Sequence, residues 1–227
     1  MASREDVRRL ATESIARGDA TGWFEALYQS AGGAWTNIPW VNLSPNPLLV
    51  DWLASSSCSP EMDASGLTCL VVGCGLGDDA EALSAIGFDV TAFDVSSTAI
   101  DGCRSRFPRS IVEYAVADVF ELTRRWSGRF DLVFEANTLQ VLPADLRAAA
   151  IKAIAGTVAL DGRLLVICRA RDQDEAEGQL PWPLTHEELN QFCAHGLIEL
   201  EFECDIDEEV PPVRRFRVLY GRPCRLE

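Results

Sequence analysis

The sequence predicts an α/β fold in which helices cover both faces of a doubly wound, largely parallel sheet. Short apolar runs alternate with helical patterns between residues 67 and 168, and this alternation is typical of parallel strands joined by right-handed crossovers. The first apolar run ends in a glycine-rich stretch at residues 73–77, at the point where such sheets bind ligands. Two further strand patterns near the C-terminal end follow one another without a helix, which predicts an antiparallel terminal pair.

The central elements alternate regularly along the chain. Apolar runs predict five parallel strands, at residues 67–73, 88–94, 111–117, 129–135 and 163–168. Helices are predicted between them, at residues 78–86, 97–107 and 143–158. Ser96 caps the second of these helices and Pro108 stops it. An Asp161-Gly162 turn is expected to lead into the fifth strand.

The two ends of the chain depart from this pattern. Thr185 and Glu188 have the capping-box spacing for a helix over residues 186–194, and strands are predicted at residues 197–204 and 213–220. Near the N-terminal end, helices are predicted at residues 4–17, 23–29 and 48–54, before a serine-rich connector at residues 55–65. Residues 1–64 contain too few apolar side chains for a core of their own. We therefore expect them to cover the sheet formed by residues 65–227, within a single domain.

Composition argues against several classes of protein. The chain has 227 residues with 35 acidic and 20 basic side chains, a net charge of −15, which repels the phosphates of nucleic acids. It has no apolar run long enough to span a membrane and no secretory signal in its charged first residues. Eight cysteines lack C-x-x-C spacing and only two histidines are present. We therefore expect a reduced, cytoplasmic protein without a metal, as a monomer or weak dimer.

The glycine-rich stretch predicts the kind of ligand. Gly73, Gly75 and Gly77 follow a strand and precede a helix, and glycines in that context allow positive φ and a close approach of the backbone to a ligand. Asp78 and Asp79 come next. A pyrophosphate favours a positive helix N-terminus, so these two acids would repel it. An adenosyl ligand that carries a sulfonium instead of phosphates is not repelled, and we predict binding of S-adenosylmethionine (SAM).

Two further acids follow successive predicted strands. Asp94 ends the second strand, where a carboxylate accepts hydrogen bonds from ribose hydroxyls. Asp118 follows the third strand and is placed to meet the adenine amino group, with Val119 beside it. Either acid alone is also a common turn or cap residue. Together, behind this glycine loop, they favour an adenosyl site.

Over residues 65–222 the sequence resembles the class I SAM-dependent methyltransferases. The segments that carry the resemblance are LVVGCGLGDDAEAL, VTAFDVS, AVADVF and FDLVFEANTLQVL. Within that class it is similar to the group of thiopurine, thiol or halide, and tellurite-resistance methyltransferases, through WFEALY, IPWVNLSPNPLLVDWL and GQLPWPLTHEEL. The resemblance implies a Rossmann-like sheet of seven strands with the last strand antiparallel. It also implies methyl transfer from SAM to a small molecule, with S-adenosylhomocysteine (SAH) as the product.

The resemblance further implies roles for particular residues. The implied cofactor-binding set comprises Trp23, Trp40, Gly73, Cys74, Gly75, Leu76, Gly77, Asp94, Val95, Asp118, Val119, Glu135, Ala136 and Asn137. In this set the glycine loop surrounds the methionine part of SAM, and residues 135–137 line the floor near the reacting methyl. In the similar group an N-terminal segment covers the cofactor, which nominates Tyr28 and Trp35 as well. Alternatively, these aromatic residues only pack that segment onto the sheet.

We expect Asn137, Arg169 and Trp40 to take part in catalysis. Methyl transfer is an in-line displacement, so the protein must chiefly align the nucleophile, the methyl group and the leaving sulfur. Arg169 follows the fifth strand and either binds an anionic acceptor, orients a thiolate or forms a structural ion pair. His186 and His195 lie at helix ends, where cap or surface roles are expected, so no general base is evident. A thiolate needs none, because thiols ionise near pH 8.5.

The sequence is compatible with several alternative functions. Residues 135–138 read Glu-Ala-Asn-Thr where enzymes that methylate amide or exocyclic nitrogens often carry Asn/Asp-Pro-Pro-Tyr, which argues against DNA, RNA and glutamine as acceptors. Besides thiols, the acceptors that remain open are thiopurines, halides, tellurite or other metalloid anions, small amines and hydroxyls. The rival classes are a SAM-binding partner or sensor without catalysis, and a nicotinamide- or nucleotide-dependent enzyme built on the same sheet.

Overall fold

A computed structural model describes residues 3–55, 64–122, 126–207, 209 and 211–224 of the chain. Seven strands form one mixed sheet in the order β3-β2-β1-β4-β5-β7-β6. These strands are β1 (Thr68–Val72), β2 (Asp89–Asp94), β3 (Glu113–Val116), β4 (Phe130–Ala136), β5 (Val158–Arg169), β6 (Ile198–Ile206) and β7 (Arg214–Gly221). The strand order confirms the predicted Rossmann-like α/β fold. The predicted connector at residues 55–65 lies mostly outside the described residues.

The strand directions also agree with the prediction. β1 and β4 pair in parallel, as do β4 and β5, and β2 and β3. β7 runs antiparallel to both of its neighbours, β5 and β6. The carboxyl ends of β1, β4 and β5 therefore meet at one edge of the sheet, which is where parallel sheets bind ligands.

The helices begin and end close to the predicted residues. They are α1 (Arg4–Ala16), α2 (Gly22–Ala31), α3 (Pro47–Ala54), α4 (Asp78–Ala85), α5 (Ser97–Arg106), α6 (Ala144–Ala155) and α7 (His186–Asn190). The Ser96 hydroxyl accepts a hydrogen bond from the Ala99 N–H at 3.0 Å, and Thr185 and Glu188 form the predicted capping box. A 3-10 turn continues α7 as far as His195. None of the described helices has the length and apolar character needed to cross a bilayer.

The predicted Asp161-Gly162 turn is wrong, because both residues lie within β5. The backbone is irregular there without leaving the sheet, since Asp161 has a φ of 61° and the pairing with β4 shifts register between Phe130 and Leu132. The Asp161 N–H donates to the Arg222 carbonyl at 2.8 Å, and the Arg222 N–H donates to the Gly162 carbonyl at 2.9 Å. These bonds satisfy the backbone of a bulge, which the dipeptide alone does not distinguish from a turn.

The chain divides into two compact units. The first unit comprises Met1–Leu67 and Gly73–Asp118, and the second comprises Thr68–Val72 and Val119–Glu227. Large side chains buried in the first unit are Trp23, Leu27, Trp52, Leu83 and Ile100. Those buried in the second are Phe130, Phe134, Leu165, Phe192 and Tyr220. Each unit thus has an apolar interior of its own.

Candidate functional site

The glycine loop, residues 73–77, has the backbone geometry expected of a ligand loop. Its φ angles are 61° at Gly73, 53° at Gly75 and 87° at Gly77, in the left-handed region that favours glycine. A Cβ atom on residue 75 would lie only 3.1 Å from the Tyr28 hydroxyl oxygen. Glycine at this position therefore permits both the turn and the close approach of Tyr28.

Asp94, the last residue of β2, lies against this loop. One oxygen of its carboxylate accepts a hydrogen bond from the Gly75 N–H at 2.9 Å, and the other accepts one from the Ser96 N–H at 2.9 Å. Asp94 is buried, and burial raises its pKa to about 6 although these hydrogen bonds lower it. The structure thus holds an ionised carboxylate at the glycine loop at neutral pH, in the place predicted for the ribose ligand.

Asp118 lies at the end of the neighbouring strand. Val116 of β3 is the register partner of Asp94, and the Ala117 N–H donates to the Asp94 carbonyl at 3.0 Å. Asp118 itself is half-buried, and the following residue, Val119, is buried. Asp94 and Asp118 therefore end adjacent strands of the first unit, as the sequence predicts for the ribose and adenine positions.

Aromatic side chains of the N-terminal segment form a cluster, of which Tyr28 approaches the glycine loop. Tyr28 is buried and accepts a side-chain hydrogen bond from Trp40. Trp23 stacks on Phe24 with ring centroids 3.8 Å apart and meets Trp40 edge-on at 6.0 Å. Trp40 is 41% exposed, so it is the member of this cluster with the most surface open to a ligand. Trp23 is fully packed, which fits a supporting role better than direct contact.

Arg106 changes the electrostatics that the sequence predicts at the start of α4. Its guanidinium binds both oxygens of Asp78, at 2.6 and 2.7 Å, and donates to the Leu76 carbonyl at 2.6 Å. Asp78 is therefore neutralised by an ion pair. Asp79 instead accepts the Asn46 N–H at 2.6 Å, and burial raises its pKa to about 6. The repulsion predicted for a phosphate at this helix end thus rests mainly on Asp79.

Glu25 of α2 caps the N-terminus of α5. Its carboxylate accepts hydrogen bonds from the Ser96 hydroxyl at 2.6 Å, the Thr98 hydroxyl at 2.7 Å and the Thr98 N–H at 3.2 Å. Partial burial raises the pKa of Glu25, but these hydrogen bonds outweigh it and lower the pKa to about 2. An acid at this position also interacts favourably with the positive end of the helix dipole. The N-terminal segment is therefore fastened directly behind Asp94.

Replacing Glu25 by glutamine is expected to destabilise the protein at neutral pH by about 1 kcal/mol, the usual effect of a lost helix cap. Because the folded pKa lies below the unfolded one, the contribution of Glu25 is present above about pH 4.5 and is lost as the pH falls towards 2. Denaturant unfolding at pH 7 and pH 3 measures both effects. Glu13→Gln, which breaks an exposed pair with Arg9, is the control, and an equal loss in both variants would contradict the cap.

In the second unit, Glu135 is buried near the carboxyl end of β4. One oxygen accepts hydrogen bonds from the Thr138 N–H at 2.6 Å and the Leu139 N–H at 3.1 Å. The other oxygen is buried and has no hydrogen-bond partner among the described residues. Burial raises the pKa of Glu135 to about 7. Glu135 thus shapes the turn after β4, and Ala136 pairs with Ile167 of β5.

Asn137 and Gln140 form a hydrogen-bonded group with the end of β5. Asn137 has a φ of 66°, an unusual conformation for a residue other than glycine and one that concentrates at functional sites. Gln140 is buried, donates to the Asn137 side-chain oxygen at 3.1 Å and accepts the Arg169 N–H at 2.6 Å. The structure therefore brings the predicted residues Asn137 and Arg169 together, through a glutamine that the sequence did not single out.

Two charged residues near the C-terminal end extend this group. Arg215 donates to the Asn137 side-chain oxygen at 3.2 Å. Glu209 accepts a hydrogen bond from Arg169 at 2.8 Å and another from Arg215. Neither residue belongs to a recognisable sequence motif, and both lie about 40 residues or more from Arg169 along the chain. Only the antiparallel pairing of β5 with β7 makes them neighbours of Arg169.

Two further side chains bear on whether the protein has a general base or a nucleophile. His186, the first residue of α7, contacts Glu199 at 2.7 Å and stacks on Phe202. Cys168 is a buried residue of β5. Burial raises the pKa of its thiol, which disfavours the thiolate that a nucleophile requires. Within the described ranges no group of three or more His, Cys, Asp or Glu side chains is arranged to bind a metal.

Comparisons with known proteins agree with this geometry. Residues 69–162 match a family model described as a methyltransferase domain, a stretch that includes the glycine loop, Asp94, Asp118 and residues 135–137. A search of curated protein sequences finds no significant match.

Several solved structures share the fold. A protein from work on conversion of a disulfide bond into a thioacetal group during echinomycin biosynthesis has a TM-score of 0.72 at 20% identity, covering 91% of this chain and 93% of its own. The N-methyltransferase NodS from Bradyrhizobium japonicum WM9, in complex with SAH, has a TM-score of 0.68 at 21% identity, covering 87% and 98%. A 1,6-didemethyltoxoflavin-N1-methyltransferase from Burkholderia thailandensis, with that substrate and SAH bound, has a TM-score of 0.67 at 15% identity, covering 99% and 92%.

The predicted enzyme class and methyl donor are thereby confirmed at the level of domain and fold. Residues 69–162 match the methyltransferase-domain model, and the chain has the fold of these solved methyltransferases.

Proposed function

We propose that the chain transfers the methyl group of SAM to a small-molecule acceptor, and that this acceptor is a thiol or a comparable soft nucleophile. The observation that carries the proposal is the buried Asp94 carboxylate held between the N–H groups of Gly75 and Ser96. A carboxylate fixed at a glycine loop of this sheet suits the ribose hydroxyls of an adenosyl ligand.

The residues present fit SAM. Asp94 and Asp118 would hold the ribose and the adenine, with Val95 and Val119 alongside. The glycine loop, including Cys74 and Leu76, would hold the methionine part, and Trp40 would face the sulfonium. An aromatic face beside a cation contributes about 0.5–2 kcal/mol. When bound, SAM supplies an electrophilic methyl group.

A hydrogen-bonded group of polar residues would orient the acceptor. Asn137, Gln140 and Arg169 are linked by hydrogen bonds at the carboxyl ends of β4 and β5, and β4 lies beside the strand that leads into the glycine loop. Orientation of this kind supplies on the order of 7–11 kcal/mol of the barrier reduction. Neither histidine belongs to this group in the part of the chain that the structure describes, which favours an acceptor that needs no general base.

The comparisons support methylation without settling the acceptor. Two structural neighbours are N-methyltransferases by name, whereas another comes from work on disulfide conversion. We also propose that residues 1–227 act as a single methyltransferase domain, covered by residues 1–64, in a cytoplasmic monomer or weak dimer. The matched family segment, residues 69–162, spans parts of both units, which supports one functional domain.

Incubation of the protein with methyl-labelled SAM and a panel of acceptors tests this proposal by mass spectrometry. We expect labelled thioethers from thiols, in amounts well above those of products from amines, hydroxyls or tellurite. Product from nitrogen, oxygen or tellurium acceptors alone would contradict the soft-nucleophile assignment. SAM binding without any product would instead favour a sensor or partner protein.

A further inference from the structure

Arg169 and Arg215 face each other across two antiparallel strands. They are direct register partners in the pairing of β5 with β7, a position at which two like charges destabilise a sheet. Both side chains are largely buried, at 18% and 14% exposure. Such a pair requires an anion between its members.

Glu209 provides that anion in this structure. Its two carboxylate oxygens accept from different arginines, one from Arg169 at 2.8 Å and the other from Arg215. Its side chain is 33% exposed, more than that of either arginine, so solvent reaches Glu209 more readily than it reaches the arginines. Asp207 binds a separate edge of Arg215, through Nε at 2.7 Å. The arginine pair thus holds one planar carboxylate, which belongs to the most exposed of the three side chains.

The two arginines form hydrogen bonds with the proposed acceptor-orienting residues. Arg215 donates to the Asn137 side-chain oxygen at 3.2 Å, and the Arg169 N–H donates to the Gln140 side chain at 2.6 Å. Arginine matches carboxylates through parallel N–H donors. A carboxylate bound here would therefore be held one hydrogen bond away from Asn137.

We propose that Arg169 and Arg215 bind a carboxylate group of the methyl acceptor, and that Glu209 occupies this subsite until the acceptor displaces it. This inference rests on the proposed function and narrows its substrate class to acceptors that carry a carboxylate. Displacement exchanges one carboxylate for another, so the charge balance of the arginine pair is unchanged. Glu209 therefore makes the site selective, because an acceptor that binds the arginines weakly does not displace it.

The test compares two thiols of matched size, 4-mercaptobenzoate and its uncharged amide, 4-mercaptobenzamide. Glu209→Gln removes the competing charge and is expected to lower KM for the benzoate by about tenfold, the effect of one charge-assisted hydrogen bond. KM for the amide should change by less than about twofold on the same reasoning. Adding Arg169→Gln to this variant should remove the gain.

Glu203→Gln is the matched control. It breaks another glutamate–arginine pair on β6 and β7, with Arg217, and leaves Arg169 and Arg215 untouched, so the benzoate-to-amide ratio should stay at the wild-type value. Glu209→Asp keeps the charge but shortens its reach, and should give an intermediate gain if Glu209→Gln does not fold. Equal changes of KM for both thiols, or a higher KM for the benzoate, would overturn the inference.

Failure of the proposed function can be distinguished from failure of this inference. If wild-type protein methylates neither thiol, calorimetric titration of both thiols into protein saturated with SAH decides the inference alone. Tighter binding of the benzoate, strengthened further in Glu209→Gln, supports the carboxylate subsite. Equal binding of the two thiols in both proteins overturns it.

Discussion

Replacing Asp94 by asparagine is expected to weaken SAM binding by about 100-fold or more, because hydrogen bonds to a charged acceptor contribute about 1.5–3 kcal/mol each and two ribose hydroxyls are involved. Asparagine retains one acceptor oxygen. Its amide N–H groups would face the N–H donor of either Gly75 or Ser96, which now meet carboxylate oxygens. The variant should therefore also loosen the loop locally without unfolding the buried strand.

Calorimetric titration with SAM and a thermal unfolding scan measure the two effects separately. Asp89→Asn is the control, because Asp89 is the exposed first residue of the same strand and lies at the opposite end from the loop. SAM affinity in this control should equal that of the wild type. Wild-type affinity in a folded Asp94→Asn variant would remove Asp94 from the cofactor site.

Glu135→Gln is expected to stabilise the protein by about 3 kcal/mol at pH 8 and to have little effect at pH 5. Glutamine keeps the oxygen that accepts from Thr138 and Leu139 and removes the charge from the buried, unpartnered oxygen. The folded pKa of about 7 lies above the ordinary value of 4.5. The folded wild type therefore binds the additional proton, and its stability falls as the pH rises from about 4.5 through 7.

Denaturant unfolding of both proteins at pH 5 and pH 8 checks this prediction. The difference between the two proteins isolates Glu135, since other buried acids such as Asp94 titrate equally in each. A variant that is less stable than the wild type by the same amount at both pH values would show that the charged form of Glu135 is satisfied in the folded protein.

The fold and the adenosyl half of the site follow from local sequence. A glycine loop after a buried strand and an acid at the end of the next strand are short-range patterns, and Gly75 and Asp94 indeed meet. The capping signals at Ser96 and Thr185 are equally local, and both form. Such features depend on a few consecutive residues, so a single sequence is enough to read them.

The polar contacts that position the site depend instead on distant residues. Arg106 neutralises Asp78 and Glu25 caps α5, yet nothing near either residue signals its partner. The arginine pair and Glu209 become neighbours only through the β5–β7 register. The irregular backbone at Asp161 also depends on distant residues. The local sequence predicts a turn there, but pairing with the neighbouring strand keeps these residues in β5.

Calorimetric titration of the wild-type protein, with SAM in one experiment and NAD in another, tests the central claim most directly. We expect saturable one-to-one binding of SAM, with no measurable heat from NAD. Binding of NAD, or the absence of SAM binding to folded protein, would contradict a glycine loop built for a methyl-bearing sulfonium.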